Sequence, residues 1–240
     1  MASNAESAMT ASYLQIKDQL LDAAAGHVPF DGWSEATFQA AVRDTGIDST
    51  MAAAVCPRGA VDLAVAYHHR GDALMLERLK AADLSEMRFR DRIAAAVRFR
   101  LEAVEDKETV RRGTTLFALP THAGDGAKLI WGTVDAIWSA LGDTSEDVNW
   151  YTKRATLGTV YSATVLYWLG DNEPDNAATW EFLDRRIDNV MQIEKLKAQV
   201  KDSPTLSKLM AGPNWLLGQI KAPQKMPEVN LPGSWTTPRR

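Results

Sequence analysis

The chain has 240 residues, 45% hydrophobic and 24% charged, a length and composition suited to one core-forming domain. With 27 Lys and Arg against 31 Asp and Glu, its net charge of -4 excludes a molecule built as a whole to grip nucleic acid. The single cysteine, Cys56, excludes an intramolecular disulfide and a multi-cysteine zinc site, and no stretch reaches the roughly 18 apolar residues that a spanning helix needs.

Residues 1–12 lack the basic start and apolar run of a signal peptide and are expected to be unstructured. From Tyr13 to Ala25, the residues Leu14, Ile16, Leu20, Leu21 and Ala24 keep to one helical face, and Gly26 is expected to stop that helix. After the link His27 to Trp33, Ser34 can cap a second helix carrying Phe38, Ala41 and Val42, which Asp44-Thr-Gly46 ends. Asp48 or Ser49 can cap a third, Thr50 to Val55, and Pro57-Arg-Gly59 separates it from a long helix starting near Ala60. Residues 13–60 thus have the layout of a helix-turn-helix-like head on a helical body, residues 61–201.

In that body Phe89, Ile93, Val97, Leu101 and Val104 form an apolar stripe, with Arg88, Arg92, Arg98 and Arg100 beside or opposite it. Further helices are expected at 111–117, 126–141, 149–169 and 176–201, separated by proline and glycine breaks. No segment alternates as a strand does, so the predicted class is all-α. In residues 202–221, Leu206, Leu209, Met210, Trp215, Leu216, Leu217 and Ile220 have helical spacing among lysines, as in a membrane-contacting amphipathic helix. A last helix packed on the body with solvated lysines is the alternative. The proline-rich tail, 222–240, is expected to be unstructured.

Chemical motifs are sparse. None of His27, His68, His69 and His122 has a Glu three residues before it, so the Glu-x-x-His pairs of a di-iron bundle are missing. There is no His-Glu-x-x-His, no nucleophile elbow and no phosphate loop, and Cys56 reads as a core residue. The chain is expected to be no enzyme and to hold no metal. Nucleic acid is excluded as a partner: from Ala11 to Ala60 only Lys17, Arg43 and Arg58 oppose six carboxylates, and Asp48 to Cys56 offers no base-reading side chain. Eight tryptophans are the positive signal. Within Asp147-Val-Asn149-Trp150-Tyr151-Thr-Lys-Arg154, two adjacent rings cannot both face one core, which points to an interface.

The runs Asn149 to Tyr161 and Thr179 to Met191 with Gly170-Asp171, the early His27 to Trp33, and Leu119-Pro, Val134 to Trp138 and Gly142-Asp143 carry a family likeness. Over about residues 13 to 221 the chain resembles the ubiquinone-biosynthesis accessory family, the ninth Coq protein. That resemblance implies a TetR-like fold and a non-catalytic protein that presents polyprenyl quinone intermediates to the di-iron demethoxyubiquinone hydroxylase. It implies that Trp150, Tyr151 and Arg154, with Asp147 and Asn149 beside them, contact that hydroxylase. It also implies a terminal helix touching the membrane, hence a place in the cytoplasm peripheral to the inner membrane. A bound isoprenoid or phospholipid, rather than a cofactor, is expected, and TetR-like bodies usually pair as homodimers through their last two long helices. Candidate lipid-lining residues, on regions expected to face each other, are Met87, Phe89, Ile93 and Leu116 with Phe117, Leu129, Trp131 and Trp138. A ligand-responsive TetR-type transcription regulator is the alternative, opposed by the acidic head.

Overall fold

A computed structural model describes residues 2–201, with side chains placed over 12–192. Among the described residues there are nine α-helices and one 3-10 turn, and no strand. The first helix, α1, spans Ala2–Asp31 and outruns the sequence expectation at both ends. Residues 2–12, expected to be unstructured, are helical, in keeping with a segment rich in alanine with Glu6 and Met9. Nor does Gly26 end the helix, which continues through Pro29 despite the missing N–H. Tertiary contacts outweigh propensity there. Val28 is fully buried, Gly32 N–H donates to the Val28 carbonyl at 2.8 Å, and Arg112 Nη2 donates to the Pro29 carbonyl at 3.0 Å.

Local signals set the next boundaries as read. Ser34 Oγ accepts from Thr37 N–H at 3.3 Å and starts α2, Glu35–Thr45, which Gly46 ends in the left-handed region at φ 65°. Asp48 accepts from the N–H groups of Thr50 and Met51 and starts α3, Ser49–Val55. Then come α4 (Ala60–Ala81), α5 (Phe89–Glu102), α6 (Lys107–Ala118), α7 (Ala123–Ala140) and α8 (Val148–Gly170). A 3-10 turn at Pro174–Asn176 leads to α9, Ala177–Lys201. The start of α6 precedes the expected Arg111 because Asp106 accepts from the N–H groups of Glu108 and Thr109.

Two apolar cores result. In the head, α1 packs on α2, α3 and α4 around Leu20, Leu21, Ala24, Ala41 and Leu63, all fully buried. In the body, α4 packs on α5 and α7, and α8 on α7 and α9, around Met75, Val97, Val134 and Ile137. No helix among the described residues is long and apolar enough to cross a membrane. The expected membrane-contacting residues, Leu206, Leu209, Met210, Trp215, Leu216, Leu217 and Ile220, lie outside the described residues, as does the tail 222–240.

Candidate functional site

Helices α4 to α8 do not close completely, and a cavity of about 450 Å³ lies between them. Its walls are mostly apolar: Ala64 of α4, Leu101 of α5, Val110 and Phe117 of α6, Leu129 and Ile130 of α7, Val165 of α8. Trp33 of the head also lines it, held by its Nε1–H donating to the Thr109 carbonyl at 3.3 Å. Gly126 lets α7 approach α6 at this point, since a Cβ there would lie 2.9 Å from Phe117 Cβ. The mouth is marked by lining residues that also reach solvent, namely Ala118, Ala123, Ala127 and Leu166, the last 62% exposed.

Of the eight lipid-lining candidates, Phe117 and Leu129 line this cavity and the other six do not. Ile93 and Trp138 belong to the body core, and Phe89 lies outside it, 45% exposed, with its ring 5.6 Å from that of Trp138. Leu116 turns the other way on α6 and packs against the head core. Met87 sits in the turn before α5, where its carbonyl accepts from Arg92 Nε at 2.9 Å. Trp131 is on the surface beside Trp150. Side chains of one apolar type fill cores, cavities and surfaces alike, and only the relative rotation of the helices sorts them.

At its buried end the cavity is polar, which the sequence reading missed. Arg100, placed beside or opposite the apolar stripe, is only 5% exposed. Its Nε donates to Asp72 Oδ1 at 2.6 Å and its Nη2 to the His68 carbonyl at 3.0 Å. Thr133 of α7 donates to the same Asp72 oxygen at 2.9 Å, and His68 Nε2 lies 2.8 Å from Thr133 Oγ1. Burial, and then Arg100, push the His68 pKa down to about 4, so the ring is neutral at pH 7. Tyr161 of α8 is buried beside this cluster, and that burial raises its hydroxyl pKa. The detectable signal was Asp72 itself, a carboxylate four residues from His68 within a long helix.

The second feature is an aromatic patch. Trp131 of α7 lies 5.7 Å from Trp150 and 6.4 Å from Tyr151, whose rings are 4.8 Å apart edge to face. Trp131 is 36% exposed, and Trp150 and Tyr151 are half-buried. Asp147 starts α8 by accepting from Asn149 N–H, and the Asn149 amide donates to its other oxygen. Both remain at the surface. Arg154 does not, being 2% exposed, so it stands beneath the patch rather than on it. It donates to Asp135 at 2.6 Å and to Asp143 at 3.0 Å, and its guanidinium lies 4.0 Å from the Trp150 ring centre. Burial raises the Asp143 pKa, but hydrogen bonds from Lys153, Ser145 and Arg154 outweigh it and hold the carboxyl well below the usual range.

Cavity and patch share the α7–α8 pair. Ala127 at the mouth is one helical turn from Trp131, and Leu166, Ser162, Gly158, Ala155 and Tyr151 succeed one another along α8 at helical spacing. Ile130 lines the cavity and packs against Gly158 between the two features. Elsewhere, α3 turns Thr50, Met51, Ala53 and Ala54 to solvent and carries no cation. Among the described residues no three metal-ligating side chains come together.

This architecture is that of an all-α, TetR-like protein. The crystal structure of the TetR transcriptional regulator from Nitrosomonas europaea matches it with a TM-score of 0.61 and 18% identity, over 72% of this chain and 97% of that one. Residues 123–194, which span α7, α8 and most of the described α9, match the COQ9 family model. The ubiquinone biosynthesis protein COQ9, mitochondrial, of Drosophila melanogaster is 32% identical over 191 residues, covering 78% of this chain and 58% of that protein. Its counterparts in Rattus norvegicus and Homo sapiens are 28% and 27% identical over 199 residues, 79% of this chain and 63% and 62% of theirs. The chain is related to the COQ9 proteins, as its sequence motifs indicate, and spans about three fifths of the length of these relatives.

Proposed function

We propose that this chain is a non-catalytic lipid-binding accessory protein of ubiquinone biosynthesis. It holds a polyprenyl quinone intermediate in the α4–α8 cavity and presents it to a di-iron demethoxyubiquinone hydroxylase docked on Trp131, Trp150 and Tyr151. The observation that carries this reading is the shared face: a partner seated on the patch lies one helical turn from the mouth. An isoprenoid tail cannot cross water cheaply, since each CH₂ exposed costs about 0.8 kcal/mol, so an apolar path between two docked proteins lowers the barrier to transfer. In this reading Leu206 to Ile220 contact the membrane, on the cytoplasmic side and peripheral to the inner membrane, and two chains pair through α8 and α9. The transcription-regulator alternative is not favoured, because α3 has no cation to meet phosphate.

Trp150→Lys tests the docking and the cargo separately. The expected result is an unchanged circular dichroism spectrum, loss of hydroxylase capture in a pull-down, and retention of the isoprenoid that mass spectrometry finds in the purified unaltered protein. Normal capture by the folded variant overturns the interface, and an unaltered protein free of lipid overturns the cavity's role.

A further inference from the structure

The cavity is not uniform along its length. Its mouth is built from Ala118, Ala123, Ala127 and Leu166, whereas Tyr67, His68, Arg100 and Tyr161 gather on its buried walls from α4, α5 and α8. We infer that this buried end takes the uncharged, oxygen-bearing ring of an isoprenoid ligand, with the hydrocarbon tail running out toward the mouth. The inference rests on the lipid-binding reading above and adds to it an orientation and a head-group rule.

Three observations support it. First, the only cation on the cavity wall is matched: Arg100 is bonded to Asp72 at 2.6 Å, so a carboxylate or phosphate brought there would face Asp72 at low dielectric with no spare positive charge. Second, hydrogen-bonding capacity remains for a neutral guest. The Tyr67 hydroxyl lines the cavity and has no hydrogen-bond partner among the described residues, so its proton is free for a ring oxygen of the guest. Third, the wall is rigid. Asp72, Arg100, Thr133 and the His68 backbone form one bonded set, and Gly71 gives the guanidinium its place, because a Cβ there would come within 2.5 Å of Nη1. Such a wall offers fixed partners to a ring at little ordering cost.

Titration calorimetry of the full chain tests this with three probes: a benzoquinone bearing a three-unit isoprenoid tail, the hydrocarbon of that tail, and the matching prenyl carboxylate. The unaltered protein is expected to bind the quinone at least several-fold more tightly than either of the others. Tyr67→Phe, which keeps the ring and removes the free donor, is expected to weaken the quinone about fivefold and to leave the hydrocarbon within about twofold. Position 67 is half-buried, and an unchanged circular dichroism spectrum of the variant checks that it folds. Equal losses for quinone and hydrocarbon, an unaltered quinone affinity, or a carboxylate bound as tightly as the quinone overturns the assignment while leaving lipid binding standing. Failure of the unaltered protein to bind any probe removes both.

Discussion

The head buries no ionised side chain among its described residues: Leu20, Leu21, Ala24, Ala41 and Leu63 close on one another, with Thr37 the sole buried polar residue of α2. The body buries Asp72, Arg100, Arg154 and Asp171, and leaves a cavity of about 450 Å³ beside the first two. Voids and buried ions both cost stability relative to a filled apolar core. Their concentration in one region marks where packing was relinquished for another use. The head is then a scaffold, and through Trp33 also a wall of the body's cavity.

This contrast can be broken most sharply at Asp72. Asp72→Leu strands the Arg100 guanidinium and is expected to cost about 3–5 kcal/mol in thermal unfolding, much of it restored by adding Arg100→Met. A neutral Asp72→Leu would mean that the body tolerates its buried charge without a partner, and the contrast with the head would lose its energetic basis. In the head, Leu20→Ala opens a void where side chains are fully buried and should cost about 2–5 kcal/mol, while ligand affinity of the folded fraction stays within about twofold. A matching fall in affinity would show that the head does more than support the cavity.

Acid should separate the two regions more gently. Because the folded His68 pKa is lowered to about 4, the unfolded chain takes up a proton below the ordinary histidine value of 6.5 that the folded chain refuses. Stability conferred by the neutral ring is therefore complete above pH 6.5, declines by at most about 1.4 kcal/mol per pH unit toward pH 4, and then levels off for this group. Denaturant titrations between pH 4 and 7 should show this slope, and His68→Gln should flatten it. An unchanged slope in that variant would place the acid sensitivity elsewhere. The depressed Asp143 acts in a separate window, below its ordinary value of 3.8.

Local signals were legible in the sequence wherever the cause was local. Ser34, Gly46 and Asp48 act through backbone groups two or three residues away, and each marks the boundary read for it. The adjacent rings of Trp150 and Tyr151 betrayed a surface for the same reason, since successive helix positions cannot share one face. What escaped depends on partners far along the chain. Arg100 meets Asp72 from 28 residues away and Arg154 meets Asp135 from 19, so the first was read only as a charge beside or opposite an apolar stripe and the second as part of a partner surface. Trp131 was read into the cavity because nothing in the spacing of α7 tells which flank meets α8. Pro29 and Gly26 looked like helix breakers because the carbonyl contact from Arg112 is 83 residues distant.

The contact between Gly71 and Arg100 has a bearing on how this sequence can vary. With 2.5 Å between a would-be Cβ and Nη1, positions 71 and 100 are not independent letters. Alanine at 71 demands a shorter residue at 100, that shorter residue releases Asp72, and a carboxylate without its cation would next favour loss at 72. Positions 71, 72 and 100 are therefore coupled, and exchanges there should be tolerated better in combination than singly.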